Sequence, residues 1–375
     1  MNVKIFNRMN TRLCIELLTL EKGKAYGFQE YIFNILNYLY NNRALIKYDR
    51  ILIICKDVSV SMFDTYKDKF DIIGFSFTNY LQRFTLQSIL PLKLGLRKTD
   101  LLLCPQNYSG FIKRCPQILV IHDLLFKRKE YLKNKTMRIQ RQIFMPISIR
   151  KADRIIAISN FTANDIIDYY PKSNRKISVI YNSLNYEKYG YPVIKYTYDY
   201  FLTVASNASH KNIITILKAY DVYCKSGGNK KLVIVGRLGQ NTEAYQILQK
   251  LNTAVKDKVL LKADISNEEL GSLYANAACY ISASLFEGFG MPIAEAMYFN
   301  TPVLLSDIQI HREISLGMGD YFSGTDYMSL AKIMKHLNCD RRDYSSKIQN
   351  LFSLQNTAHK YLDIINAFAV GTNDF

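Results

Sequence analysis

Two carboxylates eight residues apart, Glu287 and Glu295, frame the stretch SASLFEGFGMPIAEAMYFNTPVLLSD (282–307). Between them Gly288, Phe289 and Gly290 form a loop, and Pro292 stands where the opening of a helix favours it. Glycines let the backbone approach a bound molecule closely, and the free N–H groups of the helix end that follows would face an anion. Glu287 in the loop and Glu295 in the first turn or so of the helix can then hold hydroxyls at two places along one extended polar ligand. A sugar nucleotide has that shape and chemistry. The plainer alternative is that Glu295 complements the helix dipole, worth roughly 0.3–1 kcal/mol, and that Glu287 caps a turn.

Two further residues could share this chemistry. Lys211 follows the strand-like run FLTVAS and precedes an amphipathic helix carrying Ile213, Ile214, Ile216, Leu217 and Ala219. An ammonium beside a helix N-terminus is placed to neutralise a leaving diphosphate; the alternative is a solvated lysine on a first turn. His122 ends QILVIHD at the carboxyl end of a strand, where a ligand-facing residue belongs, and the alternative there is a structural pair with Asp123. His311, His336 and His359 fall in helical stretches and are expected at the surface. EKGKAYGFQEYIFNILNYL (21–39) runs from a loop containing Gly27 into a helix. There is no D-x-D pair to hold a divalent ion against a diphosphate, so neither metal nor other cofactor is expected. The seven cysteines are odd in number and widely spaced without a C-x-x-C pair, which argues against zinc or a disulfide framework and for small buried hydrophobes.

The elements that must position these residues are short apolar runs, each followed by helical spacing. They are VKIF (3–6), ILIIC (51–55), LLLCP (101–105), ILVIHD (118–123), RIIAIS (154–159) and ISVIYN (177–182), then FLTVAS (201–206), KLVIVG (231–236), VLLKA (259–263), CYISAS (279–284) and PVLLSD (302–307). Near-continuous apolar strands point to parallel sheets covered on both faces. The fold class is α/β, with two doubly wound Rossmann-like domains. The Tyr-rich stretch 185–200, with Gly190 and Pro192, is the linker candidate. The domains expected are 1–190, 191–355, and a C-terminal helix and tail at 356–375 that packs back on the first. Helices are expected at 327–338 and 344–368. Two such sheets facing a central cleft would bind ligand at the carboxyl ends of their strands.

Charge is unevenly divided. Residues 1–190 hold 31 Lys and Arg against 15 Asp and Glu, whereas residues 191–375 hold 18 against 17. The densest part runs from Lys127 to Arg154. A basic field of this kind attracts a membrane phospholipid surface, a lipid-linked phosphate or nucleic acid. No RRM, KH or helix-turn-helix pattern accompanies it, which weighs against nucleic acid. No window reaches the roughly 18 apolar residues of a membrane span, and Lys4, Arg8, Arg12 and Glu16 interrupt what would be a signal peptide. A cytoplasmic protein, peripheral at the inner face of the membrane, is the expectation.

EGFGMPIAEAM, with its E-x7-E spacing, resembles the signature of the retaining family-4 glycosyltransferases, whose fold is the two-domain GT-B. VIHDL (120–124), ADRIIAISNFTANDI (152–166), ISVIYNSLN (177–185), SHKN (209–212), EELGSLYANA (268–277) and TPVLLSD (301–307) resemble further family motifs in the family's order, so the likeness spans about residues 1–355. It implies that Glu287 contacts the donor sugar, that Glu295 binds ribose hydroxyls and that Lys211 meets the leaving diphosphate. His122 would lie near the reacting anomeric centre, and Gly288, Phe289, Gly290 and Met291 would form the donor-binding loop. Gly27 would sit in a loop beside the acceptor and the donor phosphate. The chain departs from the family pattern at Ala205 and His210, where arginines are usual, and at Ser183 and Asn300, where glycine is. Asn300 tolerates a left-handed backbone and so can preserve a helix end.

The resemblance implies metal-independent transfer of a hexose, of mannose or rhamnose type, from a nucleotide-diphosphate sugar. The acceptor would be a glycan or lipid-linked oligosaccharide in surface polysaccharide synthesis, and the configuration would be retained. The alternative is a catalytically silent GT-B-fold protein that binds a glycan or a partner.

Overall fold

The computed structural model describes residues 10–23, 29–132, 134–341 and 343–369. The chain forms two compact units, one of residues 1–127, 133–183 and 354–375, the other of residues 128–132 and 184–353.

The strands of the first unit are β1 (Arg12–Leu17), β2 (Arg50–Lys56), β3 (Asp71–Phe75), β4 (Leu101–Cys104), β5 (Gln117–Ile121), β6 (Arg154–Ala157) and β7 (Ile177–Val179). Those of the second are β8 (Tyr200–Val204), β9 (Lys231–Val235), β10 (Val259–Lys262), β11 (Cys279–Ser282), β12 (Val303–Ser306) and β13 (Asp320–Phe322). The helices are α1 (Gln29–Asn41), α2 (Tyr80–Lys93), α3 (Lys135–Lys151), α4 (Asn160–Tyr169), α5 (Ile213–Lys225), α6 (Glu243–Lys250), α7 (Thr253–Lys256) and α8 (Asn267–Asn276), followed by α9 (Met291–Tyr298), α10 (Gln309–Ile314), α11 (Tyr327–His336), α12 (Ser345–Leu351) and α13 (Leu354–Ala369).

Every strand pairing is parallel, in the orders β3-β2-β1-β4-β5-β6-β7 and β10-β9-β8-β11-β12-β13. Both sheets contain the doubly wound order 3-2-1-4-5-6, and the first carries one strand more. In this topology the chain winds outward in both directions from the first strand. The switch point therefore falls between β1 and β4 in one sheet and between β8 and β11 in the other, and ligands bind beyond the carboxyl ends of those strands. The apolar runs are buried because helices cover them. In the second unit Phe201, Ile234, Ile281 and Leu304 of the sheet pack with Ile216, Leu217 and Tyr220 of α5. α13 belongs to the first unit, where Tyr361 shares a hydroxyl hydrogen bond with Tyr31 of α1, and Asn366 Nδ2 donates to Leu45 O over 2.8 Å.

VKIF (3–6) lies outside the described residues. Among the described residues the first strand is Arg12–Leu17, which the apolar runs did not include. Its two charges are accommodated singly: Arg12 is bound by Asp100 at 2.6 Å, and Glu16 is buried with Leu18 N and Gln87 Nε2 as donors. Strands β3 and β13 did not stand out as apolar runs, because edge strands need cover on one side only and these are mostly half-buried. The helix expected over 344–368 breaks at Phe352 and Ser353, where Leu184 pairs with Ser353 as an isolated bridge. All seven cysteines are free, and five of them are buried.

Candidate functional site

The loops after β8 and β11, at the second sheet's switch point, bring Lys211 and Glu287 together. Lys211 closes a short 3-10 turn, Ser209–Lys211, and Asn212 then enters α5 with φ 50°. Asparagine tolerates that left-handed conformation, and its Nδ2 donates to Gly324 O over 2.7 Å, which locks the turn. Leu285 N donates to His210 O over 2.7 Å and ties the two loops to each other. The outcome is an ion pair of 2.6 Å from Lys211 Nζ to Glu287 Oε1, with the side chains 21 % and 13 % exposed. Ser284 Oγ donates to the same oxygen over 2.7 Å. Burial alone would raise the Glu287 carboxyl, but the ammonium and the hydrogen bonds hold it below its ordinary value.

A small pocket opens here, lined by Thr203, Ala205, Tyr280 and Ser284 together with the ion pair and Gly290. Gly290 stands at φ 97°, a conformation that glycine adopts freely, and its carbonyl accepts from Ile293 N as α9 begins. α9 thus starts at the pocket wall, which Pro292 and Ile293 help to line. Gly288 and Met291 are half-buried, whereas Phe289 is buried against Phe352 with ring centroids 5.2 Å apart. The phenyl group anchors the loop, so its backbone is what the loop presents.

Glu295 is the fifth residue of α9 and so belongs to its second turn. Tyr274 Oη donates to its Oε2 over 2.8 Å, and Lys188 Nζ lies 3.5 Å from Oε1. Tyr280 stands close enough to both glutamates for their charges, together with burial, to push its phenol well up. Lys188, Tyr274 and Ser284 gave no sequence signal; Lys188 sits in the Tyr-rich stretch, where Tyr189 is buried against Tyr274 and Phe299.

His311 corrects another expectation. Its helical position predicts a surface residue, yet it is completely buried, while His336 and His359 are exposed. Its Nδ1 lies 2.9 Å from Ser306 O and 3.0 Å from Ser306 Oγ. Burial pushes the imidazole down to about 4, against an opposing pull from Glu287. The available signal was the shared face of Ile310, His311 and Ile314 on a helix entered from an apolar strand. The surrounding Gln309, Arg312 and Glu313 concealed it.

In the first unit His122 follows β5. Its Nε2 lies 2.8 Å from Pro105 O, and a carbonyl only accepts, so Nε2 carries the hydrogen. Burial lowers its pKa, which keeps the ring neutral near pH 7, and Tyr31 stands edge-on at 5.3 Å. Asp123 accepts from Leu125 N and lies 3.8 Å from Arg141. Gly27 lies outside the described residues. Asn300 has φ 57°, as its sequence position suggested, and its Oδ1 also accepts from Tyr344 N and Ser345 N at 2.8 and 2.9 Å, the start of α12. Among the described residues no three His, Cys, Asp or Glu side chains gather into a metal-binding set.

Two doubly wound parallel-sheet units are the architecture of the GT-B glycosyltransferases among the solved structures. Residues 50–188 match the family described as Glycosyltransferase Family 4, and residues 192–332 match Glycosyl transferases group 1. The chain belongs to these GT-B glycosyltransferases and is an enzyme of that class. It is 28% identical over 258 residues to the O-antigen chain mannosyltransferase RfbU of Salmonella typhimurium, covering 69% of this chain and 70% of the relative. It is 24% identical over 220 residues to a Campylobacter jejuni N-acetylgalactosaminyltransferase whose name gives a diphospho-undecaprenol acceptor, covering 57% and 58%. The solved structure of Anabaena HepE with UDP-glucose shares the fold at a TM-score of 0.71 and 14% identity, over 95% of this chain and 99% of the other.

Proposed function

We propose that the protein transfers a hexose, preferentially mannose, from a nucleotide-diphosphate sugar to a lipid-linked or glycan acceptor in surface polysaccharide synthesis. The observation that carries this reading is the Lys211–Glu287 pair at the switch-point pocket. The mannose preference and the polysaccharide pathway rest on the relatives' names. In the proposed complex Lys211 holds the diphosphate, with the positive end of α9 beside it. Negative charge grows on that group as the glycosidic bond breaks, and a fixed cation is worth most there. Glu287 holds sugar hydroxyls and Glu295 the ribose, while neutral His122 lies at the reacting end of the sugar. The lysine and the helix end supply the charge that a metal ion would otherwise supply, so transfer is metal-independent. Retention of configuration follows if the leaving phosphate guides the acceptor to the same face.

The acceptor side of the proposal includes an anionic membrane surface. On α3, Met145, Ser148 and Ile149 are buried, while Ile139 and Ile143, 54 % and 51 % exposed, share the opposite stripe with Arg150. An apolar stripe with basic flanks suits a lipid headgroup layer. Among the described residues no helix is long and apolar enough to cross a membrane.

The test supplies GDP-mannose, UDP-glucose and dTDP-rhamnose in turn with a polyprenyl-diphosphate oligosaccharide, with and without EDTA, and reads the product's anomeric configuration by NMR. One donor is expected to give an EDTA-insensitive, retained product. Inversion, loss with EDTA, or no transfer from any sugar nucleotide contradicts the respective part. Sedimentation with phosphatidylglycerol vesicles reads the membrane part by itself.

A further inference from the structure

His311 is a titratable group beside the ion pair that the proposed reaction leaves unused. Ser306 O can only accept, so Nδ1 carries the hydrogen and Nε2 holds a lone pair; Nε2 has no hydrogen-bond partner among the described residues. Ser306 Oγ donates to Ser284 O, and Ser284 Oγ donates to Glu287. Imidazole and carboxylate therefore belong to one hydrogen-bonded frame.

The charges that act on His311 are Glu287, which favours its protonation, and Lys211, which opposes it. Other groups nearby are already paired. Asp307 and Arg312 close on each other at the surface over 2.6 Å; Glu295, on the adjacent α9, is held by Tyr274 and Lys188; Tyr321 Oη of β13 is bonded to Ser315.

In the structure Lys211 neutralises Glu287. A diphosphate bound at the pocket competes for the same ammonium, and each step that draws Lys211 toward the ligand leaves a buried carboxylate with less countercharge. Building on the donor-binding role proposed for Lys211, we propose that His311 is the reserve cation of Glu287: when a nucleotide-sugar diphosphate engages Lys211, the ring takes one proton from solvent at Nε2. The electrostatic sign is consistent. The empty site keeps the ring neutral at pH 7, and an added anion together with a displaced ammonium both favour the imidazolium. Donor binding is thereby coupled to uptake of a proton.

Calorimetric titration with GDP-mannose and UDP-glucose in parallel tests this, because their esterified diphosphates do not titrate near neutrality. Measurements in MES and in Bis-Tris, buffers of different ionisation enthalpy, give the proton count. Net uptake of up to one proton is expected near pH 6.5, with affinity rising as pH falls from 7.5 to 6 by at most about tenfold per unit. His311→Gln is expected to bind with no uptake and a flat pH profile. Binding without proton uptake between pH 5.5 and 7.5, or equal uptake by His311→Gln, overturns the proposal while leaving the donor site standing. Failure of both sugar nucleotides to bind overturns the donor reading and this proposal with it. A readout free of substitutions is the His311 imidazole resonance: its midpoint is expected to rise from about 4 to about 6.5 or above at saturation, and a midpoint that stays near 4 overturns the proposal.

Discussion

The two sheets share a strand order but differ in the state of the most buried ionisable groups at their carboxyl ends. In the first unit, burial raises the Glu16 carboxyl and lowers the His122 imidazole, so both groups are driven toward their neutral forms. In the second unit Glu287 is held below its ordinary value by Lys211, and the pair stays charged although little of it reaches solvent. Topology creates a place for a ligand in each sheet; the first has ion pairs at or just beyond its strand ends, Lys56–Glu21 at 2.6 Å and Arg141–Asp123 at 3.8 Å, whereas in the second the Lys211–Glu287 pair lines the switch-point pocket itself. A buried ion pair is weak evidence for stability, since desolvation offsets most of the attraction. Under the proposed function, an anionic ligand would use the ammonium.

The largest effect that can break this contrast is on turnover. Lys211→Ala and Glu287→Ala are each expected to lower kcat/KM for sugar transfer by about 100-fold or more, the scale of losing one preorganised charge contact. Steady-state kinetics with the preferred donor check it, and wild-type rates in either variant would remove the pair from the chemistry. Acid stability comes next. His311 is pushed down to about 4, below its unfolded value near 6.5, so the unfolded chain binds the extra proton and stability falls as pH drops between those values. The loss amounts to about 3 kcal/mol, since one pKa unit is about 1.4 kcal/mol, and Glu287 adds in the same direction at lower pH. Urea unfolding from pH 7 to 4 measures it, and His311→Gln should flatten the upper part of the curve.

His122→Asn is expected to cost roughly ten- to a hundredfold in kcat, as loss of a positioned group does, with little change in donor affinity. An equal loss in both would make its role structural. Glu16→Gln should be the mildest. A carboxyl with a raised pKa destabilises the fold as pH rises above its unfolded value, so the neutral amide is expected to match or exceed wild-type stability at pH 7. Gln87 Oε1, which has no hydrogen-bond partner among the described residues, can meet the new N–H if that amide turns over. A marked loss of stability would show that Glu16 is charged, and the contrast between the sheets would fail.

Much of this was legible in the sequence. β-Branched runs marked the central strands, and Lys211 and Glu287 follow the first and fourth strands of one sheet, whose loops the doubly wound order places side by side. Gly290 and Asn300 announced their left-handed backbones by residue type. Less visible were features that depend on distant partners. The Arg12–Asp100 and Glu16–Gln87 contacts let a charged segment run through the middle of a sheet, which no local pattern reveals. The Lys188–Glu295 approach spans 107 residues between a period-free stretch and a helix. His311 was hidden because one face of α10 is buried while its neighbours carry exposed charge.

The central claim is that the pocket at Lys211 and Glu287 receives a nucleotide-diphosphate sugar. Equilibrium titration of the wild type and Lys211→Met with GDP-mannose and UDP-glucose tests it directly. One sugar nucleotide is expected to bind the wild type and to bind Lys211→Met at least about tenfold more weakly, about 1.4 kcal/mol. Equal affinity in the two proteins would contradict it.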